Sequence, residues 1–127
     1  MPGPFPYRSG FGFGRSPAPV CDVVISWGGQ SKPLEALIDS GASGTVIPDS
    51  LAIELNLRKI GEERARGYSE QVQVHNRYVA DINFYGLMLR RYPVVGVPNR
   101  TTGIIGRDIL NRYVTTLHGP RLEFSLA

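Results

Sequence analysis

The chain has one cysteine, two histidines and one tryptophan among its 127 residues. A single thiol, Cys21, cannot close an internal disulfide, so a crosslinked secreted scaffold is excluded and nothing in the cysteine usage argues for export. His75 and His118 lie far apart with no ligand-spaced cluster around them, so no metal site and no cofactor are expected. Pairing Cys21 with either histidine makes a poor thiol nucleophile. Cys21 sits inside a strand pattern, where it acts as a small apolar residue, and no third group is in view to orient a base. No hydrophobic run reaches the length of a membrane span, and the N-terminus lacks an apolar signal core. The expected location is therefore cytoplasmic, with no membrane partner, and Met1 reads as a native start. Charge is not concentrated either. Fourteen Lys and Arg against eleven acids give a net charge of +3, but the basic residues are scattered along the chain. A nucleic-acid partner is not expected.

Aliphatic residues are nearly missing from residues 1–19, which are rich in Pro, Gly and Phe. Such a segment has little to bury against its ordering entropy, and a flexible tail is expected there. Gly10-Phe11-Gly12-Phe13-Gly14 between Arg8 and Arg15 is a single Arg/Gly-type copy, too little to define an RNA-binding tract.

Residues 20–127 form the expected folded domain, and length alone makes it one domain with a modest core. Val20 to Trp27 is strand-like, Gly28-Gly29 is a hairpin turn, and Leu34 to Ile38 is a second strand. Thr45-Val46-Ile47 is a short β run, after which Pro48 suits a first helical position and Gly61 ends the unit. Val72, Val74, Asn76, Tyr78, Ala80, Ile82 and Phe84 share one parity, which predicts a long strand with one half-buried face. Tyr92 to Val97 is a further strand. Asp108 to Tyr113 is a short helix with Asp108 at its start. Val114 to Leu117 and Leu122 to Leu126 close the chain around a His118-Gly119-Pro120 turn. The fold class is mostly β, with one or two short helices.

Two stretches carry chemistry. Ala36-Leu37-Ile38 runs into Asp39-Ser40-Gly41-Ala42, which places a carboxylate at a strand end, followed by a hydroxyl and a glycine that permits a sharp turn. Far along the chain, Ile104-Ile105-Gly106-Arg107-Asp108 joins a branched apolar pair to a glycine and an Arg-Asp pair. Taken by itself, an Asp-Ser-Gly after a strand is most often a turn held by the Asp side chain. With the second stretch in the right order, the two resemble the paired signatures of retroviral-type aspartic proteases, the retropepsins.

That resemblance covers roughly Val20 to Ala127 and implies a closed, mostly β fold acting as a homodimer. One Asp-Ser-Gly in a chain this short cannot supply both carboxylates, so two copies must each contribute an Asp39. The implied activity is that of an aspartic endopeptidase, needing no metal and no cofactor, with an extended peptide or protein as substrate. Asp39 is the implied catalyst, Ser40 the hydroxyl bonding across the dimer axis, and Gly41 a source of backbone atoms for the pair. Ala42 is an implied substrate contact. Gly106, Arg107 and Asp108 are implied structural supports behind the loop. Where retroviral members carry an acidic residue two positions after the motif glycine, this chain has Ser43, which leaves the partner of Arg107 open. Gly67 and Tyr68 precede the long strand, where the family has its flap, and are implied substrate contacts; an ordinary charged loop is the alternative. The clean alternation of Leu122 to Leu126 makes it the expected dimer strand. The competing function is a catalytically silent domain of the same fold, used for dimerisation or peptide binding.

Overall fold

The structure, a computed structural model, describes residues 2–11, 16–66 and 72–127. The elements run β1 (Phe5–Pro6), β2 (Val20–Trp27), β3 (Gln30–Ile38), β4 (Val46–Pro48), α1 (Asp49–Glu54), β5 (Arg58–Arg66), β6 (Val72–Phe84), β7 (Leu87–Val97), β8 (Gly103–Ile105), α2 (Arg107–Leu110), β9 (Thr115–His118), a 3-10 turn (Gly119–Arg121) and β10 (Glu123–Leu126). Among the described residues no helix is long and apolar enough to cross a membrane.

Seven strands make one sheet in the order β2-β3-β8-β4-β7-β6-β5, and β2 also pairs with β6, which closes it. Alternation builds the inside. Val23 and Ile25 of β2, Ile82 and Phe84 of β6, Ile47, Ile105 and Ile109 are each at most 2 % exposed. The β2–β3 hairpin turns on Gly28 and Gly29 at φ of 56° and 82°, with Trp27 facing Gln30 across a two-residue loop. Both positions need the left-handed region that glycine reaches without cost, and the resulting turn matches the strand twist. The expected long strand is β6, 13 residues. It projects beyond the body as a hairpin with β5, paired out to Arg66↔Val72.

Several local expectations need correction. Pro48 is the cap of α1, one residue before the first helical position. Gly61 does not end that unit but lies within β5, where the ladder slips between Lys59 and Gly61. Gly106, not Asp108, caps α2, because the Asp108 carboxylate is engaged elsewhere. The strand around Tyr92 begins earlier, at Leu87.

The N-terminal segment offers more to bury than its composition indicates. Phe5 pairs with Phe124 in β10, stacks on Tyr85 with ring centroids 4.6 Å apart and leans on Phe124 at 5.3 Å. Few residues suffice because they are aromatic and meet other rings. Arg8 donates to Asp22 at 2.7 Å and to Glu35 at 2.6 Å, tying the segment to the β2–β3 hairpin. The Arg8 hydrogen bond holds the Asp22 carboxyl below its ordinary value. Its stabilising contribution is complete above the unfolded-state value and disappears as pH falls through the lowered folded-state one. Deleting residues 1–9 is expected to lower stability by about 2–3 kcal/mol, a melting shift on the order of 10 °C. An unchanged melting temperature in calorimetry would make the segment a passive tail after all.

β10 lies between β1 and β9 in a three-stranded sheet, so both its edges are taken within one chain. The expectation that this strand pairs with a second copy is therefore corrected. β9 carries the open edge.

Candidate active site

β3 delivers Asp39 to the surface at the end of the sheet. Its last residues pair in parallel with β8, Leu37↔Ile104 and Ile38↔Ile105, so the two sequence stretches become neighbours. The Asp39 N–H donates to the Ile105 carbonyl at 3.1 Å. The chain then turns. The Ala42 N–H donates to the Asp39 carbonyl at 3.2 Å, and the Gly41 N–H donates to Asp39 Oδ1 at 2.8 Å. A methyl group at position 41 would stand 3.0 Å from that same oxygen, which is why a glycine belongs there.

Arg107 answers the question left by Ser43. Its backbone N–H donates to the Ala42 carbonyl at 2.8 Å, and its Nη1 donates to the Ser40 carbonyl at 2.8 Å. One residue thus holds the loop at two points, using main-chain acceptors in place of an acidic side chain. Gly106 packs face to face with the backbone of Gly44, where an added Cβ would lie 2.4 Å from the Gly44 oxygen. Behind it, Asp108 accepts from the Thr45 hydroxyl at 2.9 Å and from the Tyr92 hydroxyl at 2.9 Å. Burial first, and the Asp108 hydrogen bond second, push the Tyr92 hydroxyl up to about 12, so it remains a donor at any physiological pH.

Thr45 and Tyr92 were not legible as site residues. Thr45 is 2 % exposed, yet nothing in a lone threonine after glycine signals a buried hydroxyl network. Tyr92 reaches Asp108 only because β7 pairs with β4 beside the loop.

In the single chain Asp39 is half-exposed, with Ser40 and Gly41 at the surface and Ala42 half-buried. At this level the carboxylate has no low-dielectric enclosure. Among the described residues no side chain pairs with the carboxylate. Below the loop a hollow of about 320 Å³ is lined by Ile38, Ser40, Arg107, Leu110, Tyr113 and Leu117, joining it to the open edge of β9. Gly67 and Tyr68 lie outside the described residues, on the connection between β5 and β6. On the described part of β6, Val72 and Val74 are 50 % and 54 % exposed and share a parity with Tyr78, which turns inward onto Asp49. Among the described residues no cluster of His, Cys, Asp or Glu is placed to hold a metal ion.

A family model for aspartyl proteases matches residues 23–109, which span both the Asp39 loop and the Arg107 segment that braces it. The chain belongs to the aspartyl protease family. Its fold is the closed, mostly β one of the retropepsin-like members. The EIAV protease complexed with the inhibitor HBY-793 is 26% identical, with a TM-score of 0.58 over 75% of this chain and 86% of that one. The retroviral protease-like domain of Ddi1 from Leishmania major shares the fold at 14% identity and a TM-score of 0.56, covering 87% of this chain and 94% of that domain. A retropepsin-like aspartic protease from Rickettsia conorii does so at 14% identity and 0.53, covering 84% and 90%. A search of curated protein sequences finds no match.

Proposed function

We propose that this aspartyl protease is an endopeptidase active as a homodimer, in which Asp39 of each copy faces one water. The observation that carries the reading is the loop itself. Gly41 N–H fixes one oxygen of Asp39, Arg107 fixes the turn from behind, and the rest of the carboxylate faces outward. A lone half-exposed carboxylate does no proton chemistry of note; two sharing a proton do. One accepts a proton from the water while the water oxygen attacks the scissile carbonyl carbon, and the other gives its proton to the carbonyl oxygen. The tetrahedral species then collapses with breakage of the C–N bond and protonation of the leaving nitrogen.

The second copy would seat on the face carrying the open edge of β9. Val114 and Leu117 are exposed there at 69 % and 52 %, next to the hollow beneath Ser40. Ser40 then meets its counterpart, and Asp39 gains its enclosure. An extended peptide would lie between the loop, with Ala42 as a contact, and the β5–β6 hairpin, whose Val72 and Val74 offer an apolar underside to alternate side chains. Gly67 and Tyr68 at the hairpin connection keep their proposed role as flap contacts. The protease domain runs from residue 20 to 127, with residues 2–8 packed on it as a brace.

Specific activity on a quenched fluorescent peptide is expected to fall on dilution, tracking the dimer fraction from sedimentation. A peptide mimic with a hydroxyl at the scissile position should inhibit by replacing the water. Activity that stays proportional to protein while the chain sediments as a monomer would reject the shared site. A stable dimer with no turnover and no mimic binding would support the silent dimerisation module instead.

A further inference from the structure

Three of the arginines that look scattered in sequence, Arg58, Arg90 and Arg91, meet at the end of the sheet opposite the Asp39 loop. Trp27 ends β2 and faces Gln30 at the start of β3, whereas Asp39 follows the other end of β3, roughly 26 Å along the strand. Trp27 is half-buried and stands between two adjoining hollows. One, of about 540 Å³, is lined by Trp27, Gly28, Asp81, Arg90 and Arg91. The other, of about 230 Å³, is lined by Trp27, Arg58, Ile60, Val79 and Arg91.

A bulge explains how the cations come together. β6 and β7 pair at Ala80↔Tyr92 and again at Ile82↔Leu89, so Asp81 opposes both Arg90 and Arg91. An extra residue in one strand interrupts the alternation and lets two neighbouring side chains reach one face. Arg91 sits at a φ of 48°, and its N–H donates to Asp81 Oδ1 at 2.9 Å, which fixes the bulge. Asp81 is thereby committed to backbone and reaches Arg90 only at 3.9 Å. Among the described residues Arg58 and Arg91 have no carboxylate partner. Three guanidinium groups against one carboxylate leave a positive hollow around an aromatic face. By contrast Arg8, the cation of the N-terminal tract, is consumed by Asp22 and Glu35.

We propose that this surface binds single-stranded nucleic acid, with a base on Trp27 and flanking phosphates on Arg58, Arg90 and Arg91. Guanidinium forks match phosphate oxygens, and an indole face takes any base, so recognition is indifferent to sequence. An acidic peptide satisfies the arginines but leaves the indole face without a planar partner, which is why a strand is favoured. The reading goes beyond proteolysis and does not depend on it.

Trp27 is the only tryptophan, so its fluorescence reports this site alone. An oligothymidylate of about twelve nucleotides should quench it, with affinity falling roughly 20-fold between about 50 and about 200 mM salt for three phosphate contacts. The double variant Arg58→Gln with Arg91→Asn should weaken binding about tenfold or more and flatten the salt slope by about 1.4, asparagine being tolerated at a positive φ. Its melting temperature and peptide turnover should match the parent. Trp27→Phe should keep binding of a labelled oligonucleotide in polarisation, and Trp27→Ala should lose most of it. The proposal is overturned if the oligonucleotide leaves the fluorescence unchanged, or if the double variant binds with undiminished affinity. Polyglutamate quenching as strongly would assign the hollow to acidic polypeptide, and thymidine monophosphate binding as tightly as the strand would assign it to free nucleotide; either sinks the strand.

Discussion

Asp39→Asn is expected to leave a folded protein with no measurable peptidase activity, a loss of at least about 10⁴-fold. The substitution keeps the shape of the side chain and one oxygen to accept from the Gly41 N–H, so the turn is retained. In the proposed homodimer it removes at once the group assigned to take the proton from water and the group assigned to give one to the carbonyl. Melting temperature and sedimentation should stay near the parent values. Gly41→Ala probes the same site less severely: its methyl, 3.0 Å from Asp39 Oδ1, pushes the carboxylate aside without a backbone clash. Turnover by purified Asp39→Asn close to the parent rate would remove Asp39 as the catalyst.

Gly106→Ala should be the most destabilising glycine-to-alanine change among the described residues. Its Cβ would meet the Gly44 oxygen at 2.4 Å, the Gly44 carbonyl carbon at 2.6 Å and the Gly44 nitrogen at 2.9 Å. All three are backbone atoms of the Asp39 loop, so no side chain can swing away to make room. The expected cost is about 3 kcal/mol or more, a large share of the 5–15 kcal/mol that holds a domain folded. Gly44→Ala is the matched control, because a Cβ there meets nothing within 4 Å. Thermal unfolding of the pair distinguishes a one-sided backbone contact from a general dislike of side chains in this loop. Equal melting temperatures for the two variants would show that the loop yields at little cost.

The two motifs were paired by their resemblance to the retropepsin signatures, and the Gly106 contact shows how closely the two segments meet. Asp39-Ser40-Gly41 and Gly106-Arg107 read as chemistry because the residues themselves are restrictive: a carboxylate at a strand end, a glycine where a Cβ has no room, an arginine beside it. Alternation was equally legible in β6, where Tyr78, Ala80, Ile82 and Phe84 share one parity and are buried, whereas Val72 and Val74 keep that parity but stay exposed. Boundaries set by competition for a partner were not. Asp108 looks like a helix cap, but a carboxylate bonds to the nearest good donors, and only the pairing of β4, β7 and β8 brings Thr45 and Tyr92 to it.

By itself, then, the sequence determined the strand periodicity, the hairpin at Gly28-Gly29, the mostly β class and the place of Asp39 at a strand end. These are local consequences of side-chain size, branching and backbone freedom. The tertiary structure alone decided that Arg107 bonds the Ser40 carbonyl in place of an acid at position 43, that Phe5 and Arg8 brace the body, and that β10 has no edge left to share. It also decided that Arg58, Arg90 and Arg91 meet around one indole. Those outcomes join residues tens of positions apart, and no local preference encodes which distant group arrives first.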